Sequence, residues 1–77
     1  MVNKQLLEKV IAESGLKMDY LAEKLDISRQ LLWMKINNRN DFRAREIKTL
    51  CRELGITRLS DKESIFFASE VSEKGNS

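Results

Sequence analysis

Between Met18 and Asn37 the chain reads MDYLAEKLDISRQLLWMKIN, and this run constrains the fold more than any other feature. Leu21, Ala22 and Leu25, then Leu32 and Ile36, recur at the three- and four-residue spacing of helices that bury one face. Between the two sets stand Asp26, which can take a left-handed turn conformation, and Ile27 as an apolar plug. Ser28 follows, and its hydroxyl can cap the next helix. The spacing predicts a second helix over 18–25, a tight turn, and a third helix over 29–37. Ala22 is small enough to let the two helices cross closely. The expected motif is a helix–turn–helix, whose second member can lie in the major groove of DNA.

The rest of the chain continues the helical pattern. No proline occurs in its 77 residues. A first helix is predicted over 4–14, burying Leu7, Val10 and Ile11, with Gly15 as the left-handed stop and Leu16 folding back over the last turn. Asn38 can take the left-handed exit from the third helix. A polar loop over 38–43 closes at Phe42, a core plug. The fourth helix, over 44–54, turns Ile47, Leu50, Cys51 and Leu54 inward and ends at Gly55-Ile56. Ser60-Asp61-Lys62-Glu63 fits a capping box, predicting a fifth helix over 61–68 with Ile65 and Phe66 apolar. From Ser69 onward the sequence SEVSEKGNS lacks core residues, so disorder is expected over 69–77. One all-α domain of four to five helices over 1–68 is the expected architecture.

Composition narrows the function. There is one cysteine and no histidine, so zinc sites of the usual Cys/His kinds and an internal disulfide are excluded. Cys51 reads as a small buried hydrophobe. No metal and no cofactor is expected. An enzyme is not expected either, without histidine or a phosphate-cradling glycine loop. The start, MVNKQLLEKVIAESG, is an amphipathic helix and not a signal peptide or membrane span, and with a free thiol this predicts a cytoplasmic protein.

Net charge is only +2, but it is unevenly placed. Residues 1–27 carry −1, and residues 61–77 carry −2. Residues 28–45 carry +4, with Arg29, Lys35, Arg39, Arg43 and Arg45 against Asp41. The positive charge therefore coincides with the third helix and the segment after it, the footprint of a surface that faces phosphate.

With Leu32 and Ile36 inward, the third helix leaves Arg29, Gln30, Trp33, Met34 and Asn37 facing out as candidate base contacts. Arg29 can donate two hydrogen bonds to guanine, and Gln30 can pair with adenine. Met34 can touch a thymine methyl. Ser28, Lys35, Arg39 and Arg43 are candidate phosphate contacts, joined by the open amides of the second helix at Met18. Met18 has a second reading as a partial lid over the core. Trp33 has two readings: a core or dimer-contact aromatic, or a ring lying against the DNA. It sits about 100° around the helix from Leu32, which favours the outside.

These residues resemble the phage Cro/repressor-type, or XRE-like, helix–turn–helix family. The resemblance rests on Leu21-Ala22, on Ile27-Ser28-Arg29-Gln30-Leu31-Leu32, and on Lys35-Ile36-Asn37-Asn38. Phe42, Glu46-Ile47, Leu50 and Leu54-Gly55-Ile56 extend it, and the pattern is most similar to short prophage-borne members. It implies a compact phage-repressor-type bundle in a bacterial or phage protein associated with the nucleoid. The implied activity is transcription regulation, by binding double-stranded operator DNA, usually as a dimer. The family's base-reading positions fall on Arg29, Gln30 and Met34. Members often have Gln where Met18 stands, and glycine where Asp26 and Asn38 stand. The fifth helix is the expected homodimer contact, because adjacent Phe66 and Phe67 cannot both face one small core. A reading of another class is a protein-interaction module, such as an antitoxin or anti-repressor, that keeps the fold without reading bases.

Overall fold

A computed structural model describes residues 1–68; the tail expected to be disordered, 69–77, lies outside the described residues. Five helices follow in order: α1 (Lys4–Ser14), α2 (Met18–Leu25), α3 (Arg29–Ile36), α4 (Ala44–Leu54) and α5 (Leu59–Phe66). No strand occurs among the described residues. α2 packs on α3 and α4, while α1 packs on α3, α4 and α5, so the chain closes around one core.

Local chemistry accounts for most of the helix ends. Asn3 accepts a hydrogen bond from the Leu6 N–H at 3.1 Å, which caps α1. Gly15 ends α1 at φ +74°, a conformation that costs a residue without a Cβ little. Asp26 ends α2 in the left-handed region at φ +58°, and Asn38 follows α3 at φ +62°. Neither is glycine, and each short polar side chain tolerates the strain. Ser28 accepts from the Leu31 N–H at 3.0 Å and so starts α3 where its cap position predicts. Asn37 is the closing residue of α3 and not part of it.

The α5 boundary differs from the expectation. It begins at Leu59, with Arg58 as its uncapped N-terminal neighbour, and ends at Phe66. Ser60 is therefore already inside the first turn, where its carbonyl accepts from the Ser64 hydroxyl at 2.9 Å. The predicted capping box at Ser60 does not form. The Ser-x-x-Glu spacing is met, but Ser60 has helical neighbours on both sides and stands inside the helix, past the cap position the pattern needs.

The core is built from Leu7, Ile11, Leu21, Ala22, Leu25, Leu32, Ile36, Leu50, Cys51, Ile56, Ile65 and Phe66, with Val2 added from the N-terminal segment. Leu7, Leu21, Leu32 and Leu50 are sealed completely. Val10, Ile27, Phe42, Ile47 and Leu54 are partly buried and pack against this cluster, on the sides the sequence predicts. Burial pushes the Cys51 thiol above its ordinary pKa, opposed by the Lys62 charge, which keeps it a neutral hydrophobe. Phe66 meets Phe42 edge to face, with ring centroids 5.9 Å apart.

Two long-range ties hold the N-terminal segment. The Asn38 side chain clasps the Val2 backbone, accepting from its N–H at 2.8 Å and donating to its carbonyl at 3.0 Å. The Asn3 N–H donates to the Ile65 carbonyl at 2.7 Å. Asn38 thus combines two jobs. It makes the backbone turn after α3, and it pins residues 2–3 beside that turn.

Candidate nucleic-acid interface

α3 is sided in the way a groove-reading helix requires. Leu32 and Ile36 form its inner stripe, and Arg29, Gln30 and Trp33 are exposed on the other side. Met34 and Asn37 are half-buried flanks. The N-termini of α2 and α3 lie together, because the Arg29 guanidinium stands 3.5 Å from the Asp19 carboxylate across them. Lys17 gives α2 no side-chain cap, so the first-turn amides of α2 lack that partner. The Met18 side chain is half-buried against the core, which favours its reading as a lid. Any phosphate contact at this position falls to the backbone amides.

Trp33 lies outside the core, 50 % exposed, so the core reading of this residue is corrected. The Arg39 guanidinium lies over its ring, 5.5 Å from the centroid, in cation–π geometry. The turn that brings Arg39 back is fixed by its N–H donating to the Met34 carbonyl at 2.9 Å. Asn37 donates from Nδ2 to the Trp33 carbonyl at 2.8 Å, tying its amide group to the end of its own helix. Its Oδ1 and its second Nδ2 hydrogen are left for another partner. Ser28 uses a lone pair as cap and keeps its O–H free to donate. Arg43 and Arg45 are both exposed at the start of α4.

Lys35 is the main correction to the expected phosphate contacts. It is 5 % exposed, and its ammonium sits 2.5 Å from Glu46 Oε1, itself sealed at the start of α4. Phe42 covers the pair, with its ring centroid 6.0 Å from the ammonium. Glu46 also accepts from the Arg43 N–H at 2.8 Å, satisfying one of the orphan amides of α4. Burial would push the Glu46 carboxyl up; the Arg43 amide and the Lys35 ammonium outweigh it and hold it below the usual glutamate value. Lys35 thus faces the α3–α4 junction and is out of reach of any DNA on the other side of α3. The reason is positional. Lys35 directly precedes Ile36 and shares its inward arc, and Glu46 supplies the opposite charge that makes its burial tolerable.

Phe66 is also corrected. It is 2 % exposed in the core, which leaves Phe67, exposed beside it, as the α5 aromatic able to meet a second molecule. Phe67 lines a groove of about 370 Å³ with Phe42, Ala44, Ile47, Lys48 and Lys62.

A further link lies at the back of α2, where sequence reasoning assigned no role. The Tyr20 hydroxyl donates to Glu53 at 2.7 Å and so joins α2 to α4. This bond, with slight desolvation and nearby carboxylate charge, raises the phenol pKa above its ordinary value. Thirty-three positions separate the two residues, so no local pattern could have paired them.

Among the described residues no group of three metal-ligating side chains is close enough to hold an ion, and no helix is long and apolar enough to cross a membrane. Compared with family models, curated proteins and solved structures, the chain matches none.

Proposed function

We propose that this protein is a sequence-specific DNA-binding transcriptional regulator of the Cro/repressor kind, a phage-repressor-type bundle that inserts α3 into the major groove of operator DNA. The observation that carries this reading is the division of α3. Leu32 and Ile36 hold the helix to the body, while Arg29 and Gln30 stand exposed in its first turn, the turn that enters the groove in such complexes. Arg29 and Gln30 have the donors and acceptors to read guanine and adenine. Arg39, Arg43 and Ser28, with the open amides at the start of α2, are the groups that meet phosphate and fix the register. Lys35 has no part in it. A homodimer through Phe67 would place two copies of α3 on successive turns of a palindromic site.

The test is a titration of the protein against duplexes from the DNA flanking its own gene, with a scrambled duplex as the reference. Specific binding that falls to the scrambled level in the Arg29→Ala/Gln30→Ala variant supports the reading. Affinity equal for both duplexes in the unaltered protein refutes it.

A second reading is a protein-interaction module. The half-exposed Trp33, with half-buried Leu31 and Met34 beside it, favours it. In that case DNA affinity, if any, depends weakly on salt, while Trp33→Ala abolishes capture of a protein partner.

A further inference from the structure

We propose that Asp19 is a specificity-determining residue of this interface, holding the Arg29 guanidinium in the orientation that reads one base pair. The inference rests on the DNA-reading proposal above and adds to it a residue on a different helix, outside the reading face of α3. Asp19 stands in the first turn of α2, and its carboxylate lies 3.5 Å from Arg29 Nη1.

Two features make this pair hard to explain by stability. Both side chains are largely in water, 67 % and 73 % exposed, and ion pairs of that kind contribute little to folding. The pair also puts a negative charge beside Arg29, on the surface that has to approach phosphates. A carboxylate there weakens sequence-independent attraction. What it gives in return is order. A free arginine samples many rotamers, and a salt-bridged one is partly fixed before the DNA arrives, so less freedom is lost on binding. The chemistry permits both contacts together. Guanidinium carries five N–H groups, and Asp19 faces only Nη1, which leaves two N–H groups of the fork for guanine O6 and N7.

A carboxylate in the first turn of α2 also suits the helix dipole, so a change in melting temperature would not distinguish the two roles. Base preference does. The experiment selects binders from double-stranded DNA with a randomised central segment and reads the preference at each base pair for the unaltered protein and for Arg29→Ala, Gln30→Ala and Asp19→Asn. Asp19→Asn is expected to lose preference, on the order of ten-fold, at the base pair that Arg29→Ala affects. Preference at the base pair affected by Gln30→Ala stays, and affinity for a scrambled duplex rises because one negative charge is gone. Asp19→Glu, which keeps the charge, retains the Arg29-dependent preference.

Asp19→Asn that leaves every preference intact overturns the inference while leaving the DNA reading in place. A uniform loss at all positions also overturns it, since that is the mark of a structural role. If the unaltered protein enriches no sequence at all, the DNA reading fails and this inference falls with it.

Discussion

α3 carries an ion pair near each end, and the two are chemical opposites in every respect but charge. At its start, Arg29 reaches Asp19 through water-exposed space at 3.5 Å. At its end, Lys35 meets Glu46 at 2.5 Å, with both side chains sealed from solvent. Burial decides what each pair can do. Removing one partner of the inner pair strands a charge in a dry site, whereas removing one partner of the outer pair returns a side chain to water. The inner pair belongs to the fold. The outer pair is loose enough to serve the recognition proposed above, and two cationic residues that look alike in the sequence stand in opposite environments.

The largest expected effect lies at the inner pair. Lys35→Ala leaves Glu46 buried and uncompensated, and should cost about 3–5 kcal/mol in denaturant unfolding. A domain of this size has a total stability on the order of 5–10 kcal/mol, so much of the chain would unfold on warming. The paired replacement Lys35→Met with Glu46→Leu removes both charges together, though also the acceptor of the Arg43 N–H, and should land within about 2 kcal/mol of the starting protein. A double variant as unstable as the single would show that the pair contributes beyond compensation of its own burial.

Acid should find the same pair. Against desolvation by burial, the Arg43 amide and the Lys35 ammonium hold the folded Glu46 carboxyl below its ordinary unfolded value. Its contribution is therefore complete above that value and is lost as pH falls through the lower, folded one. Unfolding free energy measured from pH 7 down to pH 3 should fall at the acid end, and Glu46→Gln, though less stable at neutral pH, should show a shallower fall. Parallel acid limbs in the two proteins would place the acid sensitivity elsewhere.

Smaller effects sharpen the outer side of the comparison. Under the DNA reading, Arg39→Ala should reduce the slope of log affinity against log salt by about 0.9, the share of one phosphate contact. The Lys35→Met/Glu46→Leu protein should keep its slope, since Lys35 faces inward. Smallest of all, Arg29→Ala and Asp19→Asn should each shift stability by no more than about 0.5 to 1 kcal/mol in denaturant unfolding. A loss of several kcal/mol from either would make the outer pair structural and erase the contrast.

Much of the fold was legible because its determinants are local. Gly15, Asp26, Ser28 and Gly55 lie within a few residues of the amides and carbonyls they serve, so α1, α2 and α4 have the bounds that spacing predicts. The start of α5 was not legible, since the Ser60 pattern satisfies a cap rule that a helix beginning at Leu59 never uses. The buried Lys35 escaped for a different reason. A lysine on a mostly apolar helix reads as a surface charge, and only the fold brings Glu46 to it from eleven residues away. Val2, Asn38, Tyr20 and Glu53 share that character, with partners distant in the chain and no period to announce them. On the candidate interface, the exposed first turn of α3 followed from its inward stripe alone. The Asp19–Arg29 contact crosses from one helix to the next and needed the structure.

In the proposed function, the exposed first turn of α3 distinguishes one DNA sequence from another. The most direct measurement is fluorescence anisotropy at a fixed salt concentration, comparing the best duplex from the flanking DNA with its scrambled counterpart. A specific-to-scrambled affinity ratio of about a thousand-fold or more is expected. That ratio should collapse in Arg29→Ala/Gln30→Ala, with the unfolding free energy of the variant within about 1 kcal/mol of the unaltered protein. Equal affinity for the two duplexes, or a ratio that survives both substitutions, would contradict it.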